Sequence, residues 1–126
     1  MPDTIKESIM EELQSLLRLD DVLACMLAKK GLEGLLPQQG IKIKNVELWQ
    51  LLKETTDKTF DIIERFFSYG LDRMVFELGD YTVIIAPLSP DFSLLVVIPS
   101  LANMGLLDVE IENTKRKIKS IMLQPG

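Results

Sequence analysis

Two runs in the C-terminal half of the chain, YTVIIAP (positions 81–87) and FSLLVVIP (positions 92–99), are apolar at nearly every consecutive position. Strand side chains alternate between the two faces of a sheet, so such runs are apolar on both sides and need cover above and below. They are far shorter than the ~18 apolar residues that suggest a membrane span. A sheet with helices on each face is the class of fold this demands. The run just before them, LDRMVFEL, alternates instead. Met74, Phe76 and Leu78 share one face, and Arg73, Val75 and Glu77 the other. Gly79-Asp80 makes a tight two-residue turn, and Leu88-Ser89-Pro90-Asp91 a second connection. These features predict a three-strand meander with Arg73–Leu78 at the sheet edge, where polar residues are tolerated.

The N-terminal half supplies the cover. Thr4 and Glu7 have capping-box spacing ahead of Ile5, Ile9, Leu13, Leu16 and Leu17, which predicts a first helix from Asp3 to Leu19. Val22 to Leu27 is short, apolar and bounded by charges, and Lys29-Lys30-Gly31 turns it into a second short strand ending at Pro37. Gln38 to Lys44 reads as a connecting loop. Asn45 is placed to cap a long second helix that Gly70 stops. Leu107, Ile111, Thr114, Ile118, Ile121 and Met122 mark a last helix, whose acids precede its bases as the helix dipole favours. The order is helix, two strands, helix, three strands, helix. It predicts one α+β domain over residues 1–126, an α/β/α sandwich of a five-stranded antiparallel sheet and three helices. A chain of 126 residues is long enough to bury such a core.

The second helix is more apolar than one core requires. An amphipathic helix uses a stripe about 100° wide, yet here Leu51, Ile62, Leu48, Phe66, Thr59, Leu52, Ile63, Thr56, Trp49, Phe67 and Phe60 fan over roughly 180°. The surplus predicts a second covering surface, and a second copy of the chain is the simplest one. Trp49, Leu52, Thr56, Phe60, Ile63 and Phe67 are the expected helix contacts of that homodimer. Arg73, Val75 and Glu77 are the expected contacts of paired edge strands, with opposite charges brought together across the symmetry axis. The other half of the helix is acidic. Glu47, Glu54 and Asp61 recur every seven residues, with Asp57 and Glu64 beside them, and form a candidate docking stripe for a basic partner.

Chemistry is sparse. The chain contains no His, which removes the commonest general base and metal ligand. Cys25 is the sole cysteine and lies in an apolar run, as expected of an inert buried thiol in a reducing cytoplasm. Asp20-Asp21 reads as a solvated turn, and Gly31-Leu32-Glu33-Gly34 precedes a strand rather than the helix N-terminus that a phosphate loop needs. The net charge of -5 argues against direct binding of nucleic acid. It also disfavours docking on anionic lipid, and no run suits membrane insertion. The charged N-terminal segment MPDTIKESIMEELQ has no leader-like apolar region. No catalytic residue, metal or cofactor is expected.

Three stretches carry a resemblance to a known family: DDVLACMLAKKGLEGLLP, LDRMVFELGDYTVIIAPLSPDFSLLVVIPSLANMGLL and the closing IENTKRKIKSIM. A hairpin, a strand ending in Ala86-Pro87-Leu88, an acidic turn and a Met104-Gly105-Leu106-Leu107 opening to the last helix resemble the Roadblock/dynein light-chain family along essentially the entire chain. That resemblance implies a homodimer in which second helices pack together and edge strands join two sheets. It also implies a non-enzymatic scaffold or regulator of small Ras-like GTPases. Two other classes fit the residues: a small-molecule sensor with a pocket between sheet and helix, and a structural subunit whose apolar stripe is covered by a different protein.

Overall fold

A computed structural model describes residues 2–124. The elements are α1 (Asp3–Leu17), β1 (Ala24–Lys29), β2 (Glu33–Leu35), α2 (Val46–Phe66) with a 3₁₀ turn (Phe67–Tyr69), β3 (Met74–Leu78), β4 (Tyr81–Ser89), β5 (Phe92–Pro99) and α3 (Met104–Met122). Every strand pair is antiparallel, and the spatial order is β2-β1-β5-β4-β3. The two doubly apolar runs, β5 and β4, therefore lie inside the sheet. The alternating β3 lies at one edge and the three-residue β2 at the other.

Alternation along the strands divides the core in two. Cys25, Leu27, Ile84, Leu94, Val96 and Ile98 face α1 and α3, whose Ile9, Leu13, Ile111 and Ile118 are fully buried against them. Ala24, Met26, Val83, Ile85, Leu95 and Val97 face α2 and meet Trp49, Leu52, Phe60 and Ile63. The expected sandwich of helix, sheet and helix is thus present, with two helices on one face and one on the other. Pro87 is accommodated in β4 because the strand bulges between Pro87 and Ser89, beyond the end of its pairing with β3.

Local signals held to different degrees. Asn45 caps α2, its side chain accepting the Leu48 N–H at 3.0 Å. Gly70 stops the 3₁₀ turn in a left-handed conformation, φ +85°. The Thr4–Glu7 capping box does not form, because the helix already begins at Asp3 and Thr4 lies inside it, with Pro2 at the N-cap. α1 ends at Leu17 rather than Leu19. The first hairpin is shifted: β1 begins at Ala24 rather than Val22, and Leu23, whose N–H donates to the Val97 carbonyl of β5 at 2.9 Å, turns its carbonyl to the loop that follows β2. Its carbonyl accepts from Lys42 N–H and Ile43 N–H at 2.7 and 3.2 Å. β2 shrinks to three residues, and a Cβ at Gly34 would stand 2.3 Å from the Leu27 carbonyl oxygen, so only glycine permits this approach.

Phe60 and Asn45 test the two scales of this packing. Phe60 is 1% exposed, and Phe60→Ala is expected to cost about 3–5 kcal/mol, the sum of lost burial and a residual cavity. Asn45→Ala removes one capping bond and is expected to cost about 1 kcal/mol. Urea unfolding of the two variants checks the ranking, which a smaller loss for Phe60→Ala would contradict.

Candidate partner-binding surface

One helix cannot cover five strands. A sheet of this width spans roughly 20 Å across its strands, whereas a helix is about 10 Å wide. α2 leans toward the β1 side of its face, and two of its acids hold it there. Asp57 Oδ1 accepts both Gly31 N–H and Leu32 N–H, at 2.7 and 2.9 Å, and Glu64 meets Lys30 at 3.8 Å. The β1–β2 turn is thereby latched to the helix. Leu32 adopts a left-handed φ of +62°, which costs about 1–2 kcal/mol for a residue with a Cβ, and the paired N–H donation offsets it.

This tilt decides which flank of the apolar arc is used up. Trp49, Leu52, Thr56, Phe60 and Ile63, the expected dimer contacts, are all buried against the chain's own sheet, and Phe67 is half-buried beside them. In the protomer, the helix side chains expected at an interface between copies are therefore core, with only Phe67 partly exposed. Thr56 and Thr59 fit there because each hydroxyl donates to a backbone carbonyl of its own helix, Leu52 at 2.8 Å and Thr56 at 2.7 Å. The flank left open carries Leu51, Ile62 and Phe66, which are 57%, 46% and 51% exposed, with Leu48 half-buried next to them. At about 100° per residue this flank points away from Asp57 and Glu64, hence toward β3. Half-buried Met74 and Phe76 and exposed Leu78 continue it along the α2 face of that strand. Beyond it, the outer hydrogen-bonding edge of β3 is unpaired.

The edge residues divide in the same way. Val75 and Glu77 are exposed, as expected, on the opposite face of β3. Arg73 is not available to a symmetry mate, because the acids of α3 have captured it. Its Nη1 donates to Asp108 at 2.6 Å, its Nη2 to Glu112 at 3.1 Å and its Nε to Asp72 at 3.3 Å. Lys115 adds a contact to Asp72 at 3.4 Å. Partial burial opposes the Arg73 charge, but the bonds to Asp108 and Glu112 outweigh it and hold the guanidinium more firmly protonated than usual. For Asp72, slight desolvation is likewise outweighed by Lys115 and Arg73, which keep its carboxyl below the ordinary aspartate range.

Of the five acids expected to meet a partner, Glu47, Glu54 and Asp61 are exposed, while Asp57 and Glu64 are engaged by the hairpin. Glu64 keeps most of its side chain exposed in that pair, whereas Asp57 is tied to the turn by two backbone N–H groups. The consecutive left-handed residues Gly31 and Leu32 leave N–H groups that need an acceptor, and Asp57 supplies it.

Cys25 is buried, its Sγ donates to the Leu13 carbonyl at 3.3 Å, and burial pushes its thiol up to about 12, against a small opposing effect of Lys42. It is not a nucleophile at neutral pH. Among the described residues no group of three or more His, Cys, Asp or Glu side chains is placed to hold a metal ion. No described helix is long and apolar enough to cross a membrane. Between α2 and the sheet the cavity beside Phe60 and Asp57 holds only about 20 Å³, and on the other face Lys6 of α1, Leu27, Leu35 and Phe92 border a cleft of about 330 Å³.

Comparison with solved structures identifies the architecture. The chain resembles MglB from Myxococcus xanthus with a TM-score of 0.73 at 12% identity, covering 97% of this chain and 92% of that one. It resembles a Roadblock/LC7 domain from Streptomyces avermitilis with a TM-score of 0.67 at 13% identity, covering 90% and 97%. It resembles the gliding protein MglB from Thermus thermophilus with a TM-score of 0.67 at 14% identity, covering 96% and 93%. No family model matches the sequence, and no curated protein does. The fold is the Roadblock fold.

Two measurements follow from the ion pairs. Asp57→Ala should release the hairpin, speeding amide exchange at Gly31 and Leu32 by about tenfold while the β4–β5 core stays protected; unchanged exchange at those two amides would show that the latch is not needed. Asp72 should titrate below the ordinary aspartate range when its carboxyl is followed by NMR. Because its folded pKa is lowered, its contribution to stability is complete at neutral pH and fades as the pH falls through that pKa. Arg73→Ala should move the midpoint upward, and an unmoved midpoint would assign the effect to Lys115 alone.

Proposed function

We propose that the chain is a non-catalytic homodimeric regulator or scaffold that binds a small Ras-like GTPase. The observation that carries the reading is the uncovered flank of α2, with Leu48, Leu51, Ile62 and Phe66 lying beside the free edge of β3. A bare apolar strip next to an unpaired strand edge is a liability that a second copy removes at one stroke. Two-fold pairing places helix flank on helix flank and edge on edge, as the Roadblock resemblance implies. The likeness to MglB and Roadblock/LC7 structures supports the fold on which this reading rests, and one such structure is of MglB in a tetrameric arrangement.

The GTPase assignment rests on that resemblance together with the acids left free. Glu47, Glu54 and Asp61 lie on the solvent side of α2, and dimerisation presents the row twice on a rigid element. A basic patch on a GTPase would be steered to it over several ångströms, so association should slow as salt rises while the apolar dimer persists. The chain supplies no nucleophile and no cofactor site in this reading. Its effect on a GTPase is exerted by contact, by holding the partner or reorganising the partner's own residues. A structural subunit covered by a different protein is the competing arrangement, which mass in solution separates from the homodimer.

Sedimentation of the purified chain should give a dimer at micromolar concentration. Phe66→Asp, on the open flank, is expected to give a folded monomer, whereas Phe60→Asp should unfold the protomer by burying a charge. Glu47, Glu54 and Asp61 reversed to Lys should leave the dimer intact and lower the association rate with a cognate GTPase by tenfold or more at low salt. A wild-type monomer would refute the dimer, and an unchanged association rate would refute the acidic row as the docking surface.

A further inference from the structure

The layer formed by α1 and α3, on the far side of the sheet from α2, has an open end of its own. The two helices run antiparallel: Lys117 of α3 meets Glu12 of α1 at 3.9 Å, and Leu106, Leu107 and Glu110 lie beside Leu19, Asp20 and Asp21. These last six residues line a groove of about 300 Å³. Three leucines form it and three carboxylates rim it, on both sides, with no cation in the lining.

Two features of α3 set this groove apart from ordinary surface. First, α3 meets the sheet through Leu107, Ile111, Thr114 and Ile118, all buried. Leu106 and Val109 are outside that row, 63% and 57% exposed, about 60° apart on the wheel, with Leu106 on the flank that faces α1. Neither belongs to the core of the described residues. Second, the acids of α3 are treated unequally. Asp108 and Glu112, on the β3 flank, are paired with Arg73. Asp20, Asp21 and Glu110 form no ion pair among the described residues, and the neighbouring Lys42 ammonium donates to the Leu19 carbonyl at 2.9 Å.

We propose that this groove docks a short amphipathic helix of another protein, one that carries Lys or Arg on both sides of an apolar stripe. The stripe covers Leu19 and Leu106, with exposed Val109 at its outer margin, and the cations meet Asp20 and Asp21 on the turn after α1 and Glu110 on α3. A helix suits the site better than a strand, because the groove lies at the end of a layer of two helices, between the turn after α1 and the first turns of α3, and no strand residue lines it. A third helix there continues the layer by the ridge-and-groove packing that joins α1 to α3. The site lies on the opposite face of the sheet from the α2 flank, so its occupancy is independent of the dimer and of the GTPase reading.

The test uses the ¹⁵N-labelled full chain and a synthetic Leu/Lys peptide of about four helical turns, with Glu replacing Lys in a control peptide. The Leu/Lys peptide should bind saturably and shift the amides of Leu19 to Asp21 and Leu106 to Glu110, and the control should not bind. The exposed pair Leu106→Ser and Val109→Ser should weaken binding about tenfold or more without altering thermal unfolding. Asp20→Lys with Glu110→Lys should weaken it similarly, and Glu54→Lys on α2 should leave it unchanged. Shifts confined to α2, absence of saturable binding, or equal loss with Glu54→Lys would each overturn the proposal. A fall in oligomer size caused by the serine pair would overturn it too, assigning the groove to a second copy of this chain.

Discussion

The structure depends on burying two strands from both sides. β4 and β5 carry apolar residues at nearly every position that meets a helix layer, and each layer exists because one of their faces would otherwise meet water. The layers answer this demand unequally. α1 and α3 together span one face. On the other, α2 works alone, helped by loop residues such as Ile41 and Ile43. From that imbalance follow the bare flank of α2, the half-covered β3 and the free edge next to them. The surface most suited to a second copy is where the helical cover runs out.

Electrostatics then fixes which part of the face is left over. Asp57 and Glu64 bind the β1–β2 turn and draw α2 toward that hairpin, while Arg73 ties the start of β3 to α3. Neither set is a large contributor to stability as exposed ion pairs go. Their importance is positional. Acids that read in the sequence as free surface charge hold the sheet and its helices in register.

The architecture was legible because it rests on periodicity. Runs apolar on both faces identified β4 and β5 as interior, the alternation of Met74, Phe76 and Leu78 identified an edge, and Asn45 announced a helix start. The direction of α2 was not legible. A wheel shows a half-cylinder of apolar residues but not which of its flanks meets the sheet, so Trp49 and Phe60 looked surplus. That choice depends on contacts between residues distant in the chain, such as Asp57 with Gly31, which no local pattern encodes. The capping box failed for a simpler reason: its spacing fell inside a helix already begun.

The place of β5 in the sheet has a consequence for the order of assembly. It is the last strand in the chain, yet it lies in the middle, between β1 and β4, and pairs Val97 with Ala24 across most of the sequence. Until it is made, β1 and β2 are a hairpin without a sheet, and α1 and α2 have only fragments to rest on. During synthesis the segment before β3 must therefore wait, with its apolar faces unclaimed, until β5 has left the ribosome. The β3–β4–β5 meander, made of adjacent strands joined by short turns, is the part able to form by itself. The pairing of β1 with β5 closes the longest loop in the sheet.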